Sequence, residues 1–171
     1  LLEYTRSRLG AGIPIDQVAC DLGPVCEASL EDIRAGNPEQ QFVQQLSGDL
    51  TVPADAARMQ QALANLLSNA VQHGNRQSPV TLSADGEVDA VVLRVGNSGD
   101  AIPADALQAI FEPLVQAPNA SSQAHERSKT SLGLGLFIVR EIVLAHGGTI
   151  AVESSAEAGT VFTIRLPRPA G

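Results

Sequence analysis

The chain has 171 residues, 44% of them hydrophobic and only 3% aromatic, with no Trp; it is long enough for one domain with a core built from Leu, Val, Ile and Ala. Its formal net charge of −8 argues against a general nucleic-acid or acidic-membrane surface, so an anionic ligand would need a local device such as a metal ion, a helix N-terminus or a few placed cations. No apolar run approaches ~18 residues and no signal-peptide pattern is present, which leaves no membrane span within this sequence.

Leu1 to Leu9 (LLEYTRSRL) reads as the last turns of a longer helix, so the chain starts mid-pattern; Gly10 and Gly12 then break that helix. Ile13 to Ile15, with Pro14 inside, is a short extended piece that suits an edge strand or a connector. Cys20 and Cys26 fit neither a zinc pair nor a redox CxxC, and two cysteines are too few for a disulfide scaffold, so they read as reduced core residues. Asp21 suits an N-cap and Pro24 a first turn, for a helix from Leu22 to about Arg34. Val25, Cys26, Leu30 and Ile33 form its inner face, and Gly36-Asn37-Pro38 stops it. Gln41 to Leu46 and Leu50 to Val52 read as two short strands around Ser47-Gly48-Asp49.

Pro53 and Asp55 open the most strongly patterned segment, Arg58 to Asn75 (RMQQALANLLSNAVQHGN). Met59, Ala62, Leu63, Leu66, Leu67, Ala70 and Val71 make one apolar stripe at helical period. Gln61, Asn65, Ser68, Asn69 and Gln72 fall on the other side. Asn65 and Asn69 are four apart and so stack one turn apart on one face. Asn is a mediocre helix former, and the pair reads in two ways. One is two solvated amides. The other is a carboxamide that holds a hard cation through its oxygen, with phosphates on the cation's far side.

His73-Gly74-Asn75 ends that helix. Val80 to Ala84 and Ala90 to Gly96 alternate around Asp85-Gly86 and predict a hairpin. Asn97 to Ala101 is a loop, and Ile102-Pro103 leads into a short helix, Ala104 to Phe111. Glu112 to Leu132 is polar and without period, a length of loop that is usually functional or mobile. Gly133 to Ala145 is an almost wholly apolar helix, capped by His146-Gly147-Gly148. Thr149 to Ser154 and Thr160 to Leu166 form a closing hairpin around Ala156 to Gly159. Helices and hairpins in this mixture predict an α+β fold, a two-layer α/β sandwich with helices on one face of a mixed sheet.

Two further stretches bear on chemistry. Ser131-Leu132-Gly133-Leu134-Gly135-Leu136 joins the long loop to the apolar helix, where backbone N–H groups and the helix N-terminus suit a phosphate. No GxxxxGK[ST] occurs, and no strand precedes these glycines, so neither a P-loop nor a dinucleotide fingerprint is present. Val95 to Pro103 places Asn97 at a strand end beside a glycine turn. It reads as a plain β-to-α turn or as a base-edge reader, because an Asn oxygen accepts from an exocyclic amine.

In order, the Asn-bearing helix, NxGxxIP (Asn97 to Pro103), FEP (Phe111 to Pro113), a lid-length loop and GLGL resemble the ATP-binding domain of sensor histidine kinases. That domain belongs to the superfamily shared with gyrase, the Hsp90-type chaperones and MutL. The resemblance runs from about Ile13 to Pro167. Its specific parts are NLLSNA (Asn65 to Ala70), FEP and LGLGLFIVREIVLAHGG (Leu132 to Gly148). It implies that Asn69 ligates Mg²⁺ on the phosphates of ATP, with Asn65 one turn earlier, and that both are catalytic. It implies that Asn97 contacts adenine and that Glu112 to Leu132 is the mobile ATP lid. Gly133 and Gly135 would flank the phosphates. Gln72, His73, Gly99, Ala101 and Ile102 would complete the nucleotide site from one side, and Lys129, Ser131, Leu132, Leu134 and Leu136 from the other.

The same resemblance makes residues 1–10 the end of the dimerising phosphoacceptor hairpin and 11–171 the kinase domain. No His precedes His73, so the acceptor His is expected outside this chain. The implied partners are ATP or ADP, that helical hairpin and a response regulator, with no nucleic acid. The whole protein would be a cytoplasmic or membrane-anchored homodimer. The family's ATPase branches carry a Glu as general base at the position of Asn65, and an amide has no basic lone pair near neutral pH. Other departures are Asn97 for Asp, Ala101 for Gly, Gln72 and Gln116 for cations, and Ser131 for Gly. Arg127 or Lys129 would have to replace those cations, or else stand as solvated lid charges. The departures motivate an alternative, a degenerate non-catalytic nucleotide-binding or interaction module of the same fold. His125 falls in the lid, His146 in the helix C-cap, and His73 either lines the pocket or is structural.

Overall fold

A computed structural model describes residues 12–111 and 135–169 of the chain. Strand β1 (Val18–Asp21) runs directly into helix α1 (Leu22–Gly36) at Asp21, whose carboxylate accepts from the Gly23 N–H at 2.9 Å and caps the helix. Leu22, Val25, Cys26 and Leu30 are buried, and Ile33 packs against them. Ile13 to Ile15 is the connector of its two expected readings. Pro14 has no N–H for a ladder, and pairing begins only at Val18.

Strands β2 (Phe42–Ser47) and β3 (Thr51–Ala54) are near in sequence yet do not pair. β3 pairs antiparallel with β1 in a two-stranded sheet, and β2 joins the main sheet. Gly48 separates them. It has a φ of 76°, and a Cβ there would stand 2.9 Å from the Gly86 carbonyl oxygen. Only a residue without a side chain lets the chain turn this close to Gly86.

Helix α2 (Ala56–His73) begins two residues before the predicted stretch and ends two before its end. Asp55 caps it through the Arg58 N–H at 3.2 Å, and Gly74 closes it with its N–H on Ala70. Met59, Leu63, Leu66 and Leu67 are essentially inaccessible, each contributing roughly 1.5–3 kcal/mol by burial. The hairpin β4 (Val80–Gly86) and β5 (Ala90–Asn97) follows, then helix α3 (Ala104–Ala109), helix α4 over 135–145, and the hairpin β6 (Thr149–Ser155) and β7 (Gly159–Pro167). The C-terminus of α4 is a Schellman motif. Gly148 N–H bonds Val143, Gly147 N–H bonds Leu144, and Gly147 has a φ of 73°.

The main sheet has the order β2-β4-β5-β7-β6, and only β2 and β4 run parallel. Its inner face carries Leu82, Leu93, Val95, Phe162 and Ile164. The α1–α2 pair and the apolar residues of α4 (Leu136, Val139, Ile142 and Val143 among them) share that core. The other face is polar, with ion pairs from Arg94 to Asp85 and from Arg165 to Glu87 and Asp89. Two layers therefore result, as the sequence predicts.

Candidate functional site

The C-terminal half of α2 sets the line of the site. Asn69 is only 5% exposed, and among the described residues its carboxamide has no hydrogen-bond partner. Neither amide therefore stands on an open, water-facing helix surface: Asn69 is largely covered and Asn65 is bonded. Helix geometry places residue 69 at the inner edge of the stripe, next to Ala70. With no partner among the described residues, its oxygen is available to a cation or ligand.

Asn65, one turn earlier, is half-buried and committed. Its Nδ2 donates to the Gly135 carbonyl at 3.2 Å, which joins α2 to the first described turn of α4. A Cβ on residue 135 would lie 3.8 Å from that carboxamide, an ordinary contact, so Asn65 does not itself require the glycine. Leu136 is buried in the core, so its side chain is not available to a ligand. Lys129, Ser131, Leu132, Gly133 and Leu134, like the expected lid with Gln116, His125 and Arg127, lie outside the described residues.

At the other end, Asn97 closes β5 and is 8% exposed. Its Nδ2 donates to the Ser98 carbonyl at 3.3 Å, and that bond fixes the amide orientation, leaving Oδ1 as an acceptor. The loop after it is held against the end of α2. Asn75 N–H bonds the Ser98 carbonyl at 2.6 Å, and a Cβ on Gly99 would stand 2.9 Å from the His73 carbonyl. A Cβ on Gly74 would stand 2.6 Å from the Ala70 carbonyl and 3.0 Å from the Asn97 Cβ. Asn97 thus rests on the last turn of α2, one turn beyond Asn69. At ~1.5 Å per residue, Asn65 and Gly74 are about 13 Å apart along the axis, a span suited to an extended nucleotide. Gln72, His73 and Ala101 are exposed at this end, and Gly99 and Ile102 are half-buried.

Two residues of this region escape a reading of the sequence. Thr160 pairs with Asn97 across β5 and β7, and Ser154 pairs with Thr160 across β6 and β7. Thr160 is buried, its hydroxyl 2.7 Å from that of Ser154, and Ser154 Oγ accepts from the Ile102 N–H at 2.8 Å. The only available signal was a Ser and a Thr at inward positions of an apolar hairpin. Among the described residues no group of three His, Cys, Asp or Glu side chains could hold a metal. A hard cation here would take amide, phosphate and water oxygens, a donor set that suits Mg²⁺. Cys26 is inert, since burial pushes its thiol up to about 12.

Residues 54–170 match the family model described as histidine kinase-, DNA gyrase B- and HSP90-like ATPase. The chain belongs to that family. A probable sensor histidine kinase of Mycobacterium tuberculosis, TcrY, is 35% identical over 94% of this chain and 33% of its own length. The adaptive-response sensory kinase SasA of Synechococcus elongatus is 32% identical over 98% of the chain and 42% of its own length. The chain therefore spans about a third to two fifths of these relatives. Among solved structures, the catalytic domain of the histidine kinase ThkA aligns with a TM-score of 0.73 at 26% identity, over 90% of this chain and 97% of that one. Full-length ShkA, in complex with AMPPNP, aligns at 0.76 and 27% identity, over 96% of this chain and 34% of that one. In sequence and fold the chain is of the histidine kinase catalytic-domain type. No helix among its described residues is long and apolar enough to cross a membrane.

Proposed function

We propose that this domain binds Mg²⁺·ATP along α2 and presents the γ-phosphoryl group to a histidine on a helical hairpin, for relay to a response regulator. In this reading residues 1–10 end that hairpin and 11–171 form the kinase domain of a cytoplasmic or membrane-anchored homodimer. The observation that carries it is Asn69, only 5% exposed and with no side-chain partner among the described residues, one turn from the Asn97 loop. Asn69 Oδ1 would hold Mg²⁺, which when bound neutralises phosphate charge. Asn97 Oδ1 would accept from the adenine amine, less strongly than an Asp because its bond lacks charge assistance.

Asn65 gives the proposal its direction. Its Nδ2 is spent on Gly135, and an amide cannot deprotonate water. ATP would be held and aligned without being hydrolysed, and phosphoryl transfer asks chiefly for alignment and charge neutralisation. Calorimetric titration of the 171-residue protein with ATP and ADP, with and without Mg²⁺, tests the binding step. Saturable, Mg²⁺-enhanced ATP binding with negligible steady turnover is expected.

Gln72 favours a second reading. It is an exposed amide at the end of α2 where the resemblance implies a cation, which fits a domain that has lost catalysis and serves as an interaction module. Absence of binding at millimolar ATP would support that module. Phosphoryl transfer by a longer version of the chain that carries the hairpin would exclude it.

A further inference from the structure

On β6, β7 and β5 the inner face of the sheet is apolar row by row except at one end. Across β6, β7 and β5 the rows read Ile150–Ile164–Leu93, then Val152–Phe162–Val95, then Ser154–Thr160–Asn97. Residues opposite one another in an antiparallel ladder share a face. The last row is therefore a polar line that ends at the amide of Asn97. We propose that Ser154 is a positioning residue for nucleobase recognition, acting through Thr160 and the Ile102 backbone. The proposal rests on the reading that the base of ATP lies at Asn97.

The hydrogen-bond inventory of the row carries the argument. Ser154 Oγ accepts from the Ile102 N–H at 2.8 Å. Thr160 Oγ1 lies 2.7 Å from Ser154 Oγ, and either hydroxyl can be the donor; Ser154 as donor is the arrangement that leaves the Thr160 proton for a ligand. With Ser154 as donor, the Thr160 proton turns away from Ser154, on the face it shares with Asn97. The Asn97 amide is meanwhile fixed by Ser98, with Oδ1 left as acceptor. The row thus offers a hydroxyl donor beside a carbonyl acceptor. Adenine presents the complement, a ring-nitrogen acceptor beside an amine donor. Guanine presents a ring N–H and a carbonyl, which mismatch both. Ser154 therefore does two things without touching the base. It holds the Thr160 hydroxyl, whose proton it frees when it donates, and it pins the loop between Asn97 and Ile102.

The test compares ATP, GTP and the triphosphate of purine riboside, which lacks the amine, on wild type, Ser154→Ala and Ser154→Thr. Thermal melts check that each variant is folded. Ser154→Ala should bind ATP about tenfold more weakly, the worth of one lost hydrogen bond, and its ATP-to-GTP affinity ratio should shrink. Purine riboside triphosphate keeps the ring nitrogen that the Thr160 hydroxyl would meet, so it should lose about as much as ATP, and Ser154→Thr should restore the ratio. An unchanged ATP-to-GTP ratio in a Ser154→Ala variant, whether or not ATP affinity falls, would overturn the assignment of Ser154 alone. A wild type that binds no ATP would overturn the site reading and this proposal with it.

Discussion

The backbone N–H of Asp55 donates to Nε2 of His146 at 3.0 Å, across 91 residues of sequence. His146 is the C-cap of α4, and Asp55 is the N-cap of α2. The His146 ring is 5% exposed, and its Nδ1 lies 2.7 Å from the Ile142 carbonyl. Because Nε2 accepts, Nδ1 must donate, which sets a neutral ring with the proton on Nδ1. At the opposite end of α4, Gly135 accepts from Asn65. Two bonds thus hold α4 antiparallel against α2, one at each end.

Removing His146 should loosen that clamp. His146→Ala strands the Asp55 N–H, while the Ile142 carbonyl keeps its bond from the residue 146 backbone N–H, and should cost about 1–3 kcal/mol of stability. His146→Gln, which can still accept through its side-chain oxygen, should recover part of it. Urea denaturation of the three proteins measures this.

Asp55 predicts an acid-side effect. The Asp16 N–H on Oδ2, with further backbone donors at Arg58 and Ala57, holds its carboxyl below the usual Asp value, against a small opposing effect of burial. A folded-state value below the unfolded one stabilises the fold above the unfolded value, and the gain is lost as pH falls through the folded value. Wild type should therefore lose stability more steeply than Asp55→Asn as pH drops below about 4. Asn remains a good N-cap, so the cap itself is kept. Parallel slopes in pH-dependent melts would remove Asp55 from the account.

Gly74 should tolerate nothing larger. Its Cβ position collides with the Ala70 carbonyl and crowds Asn97, so Gly74→Ala should cost about 1–3 kcal/mol. Because the same displacement moves Asn97, ATP affinity should fall beyond what the loss of folded protein explains. Calorimetry on the folded fraction separates the two effects.

Much of this was legible in the sequence because its signals are local. The caps at Asp21 and Asp55, the two hairpins, the apolar stripe of α2 and the 65–69 spacing each depend on a few neighbouring residues. What was not legible depends on distant pairing. Ser47 and Thr51 are near in sequence, yet their strands enter different sheets, and β2 finds a parallel partner in β4. The burial of Asn69 follows from how α2 sits on β5, which periodicity alone does not give. Thr160 and Ser154 gain meaning only from the register that places them beside Asn97. His146 read as a cap, and its bond to Asp55 needed the fold.

The central claim is that Asn69 is kept buried for a ligand. Asn69→Ala removes a carboxamide that has no partner among the described residues and installs a better helix former. The ligand-free variant should thus be as stable as wild type or more stable by about 0.5–1 kcal/mol. Calorimetric titration of that variant with ATP, with and without Mg²⁺, is the direct measurement. The account predicts that Mg²⁺-dependent binding disappears while the protein stays folded. Mg²⁺·ATP affinity equal to that of wild type would contradict it.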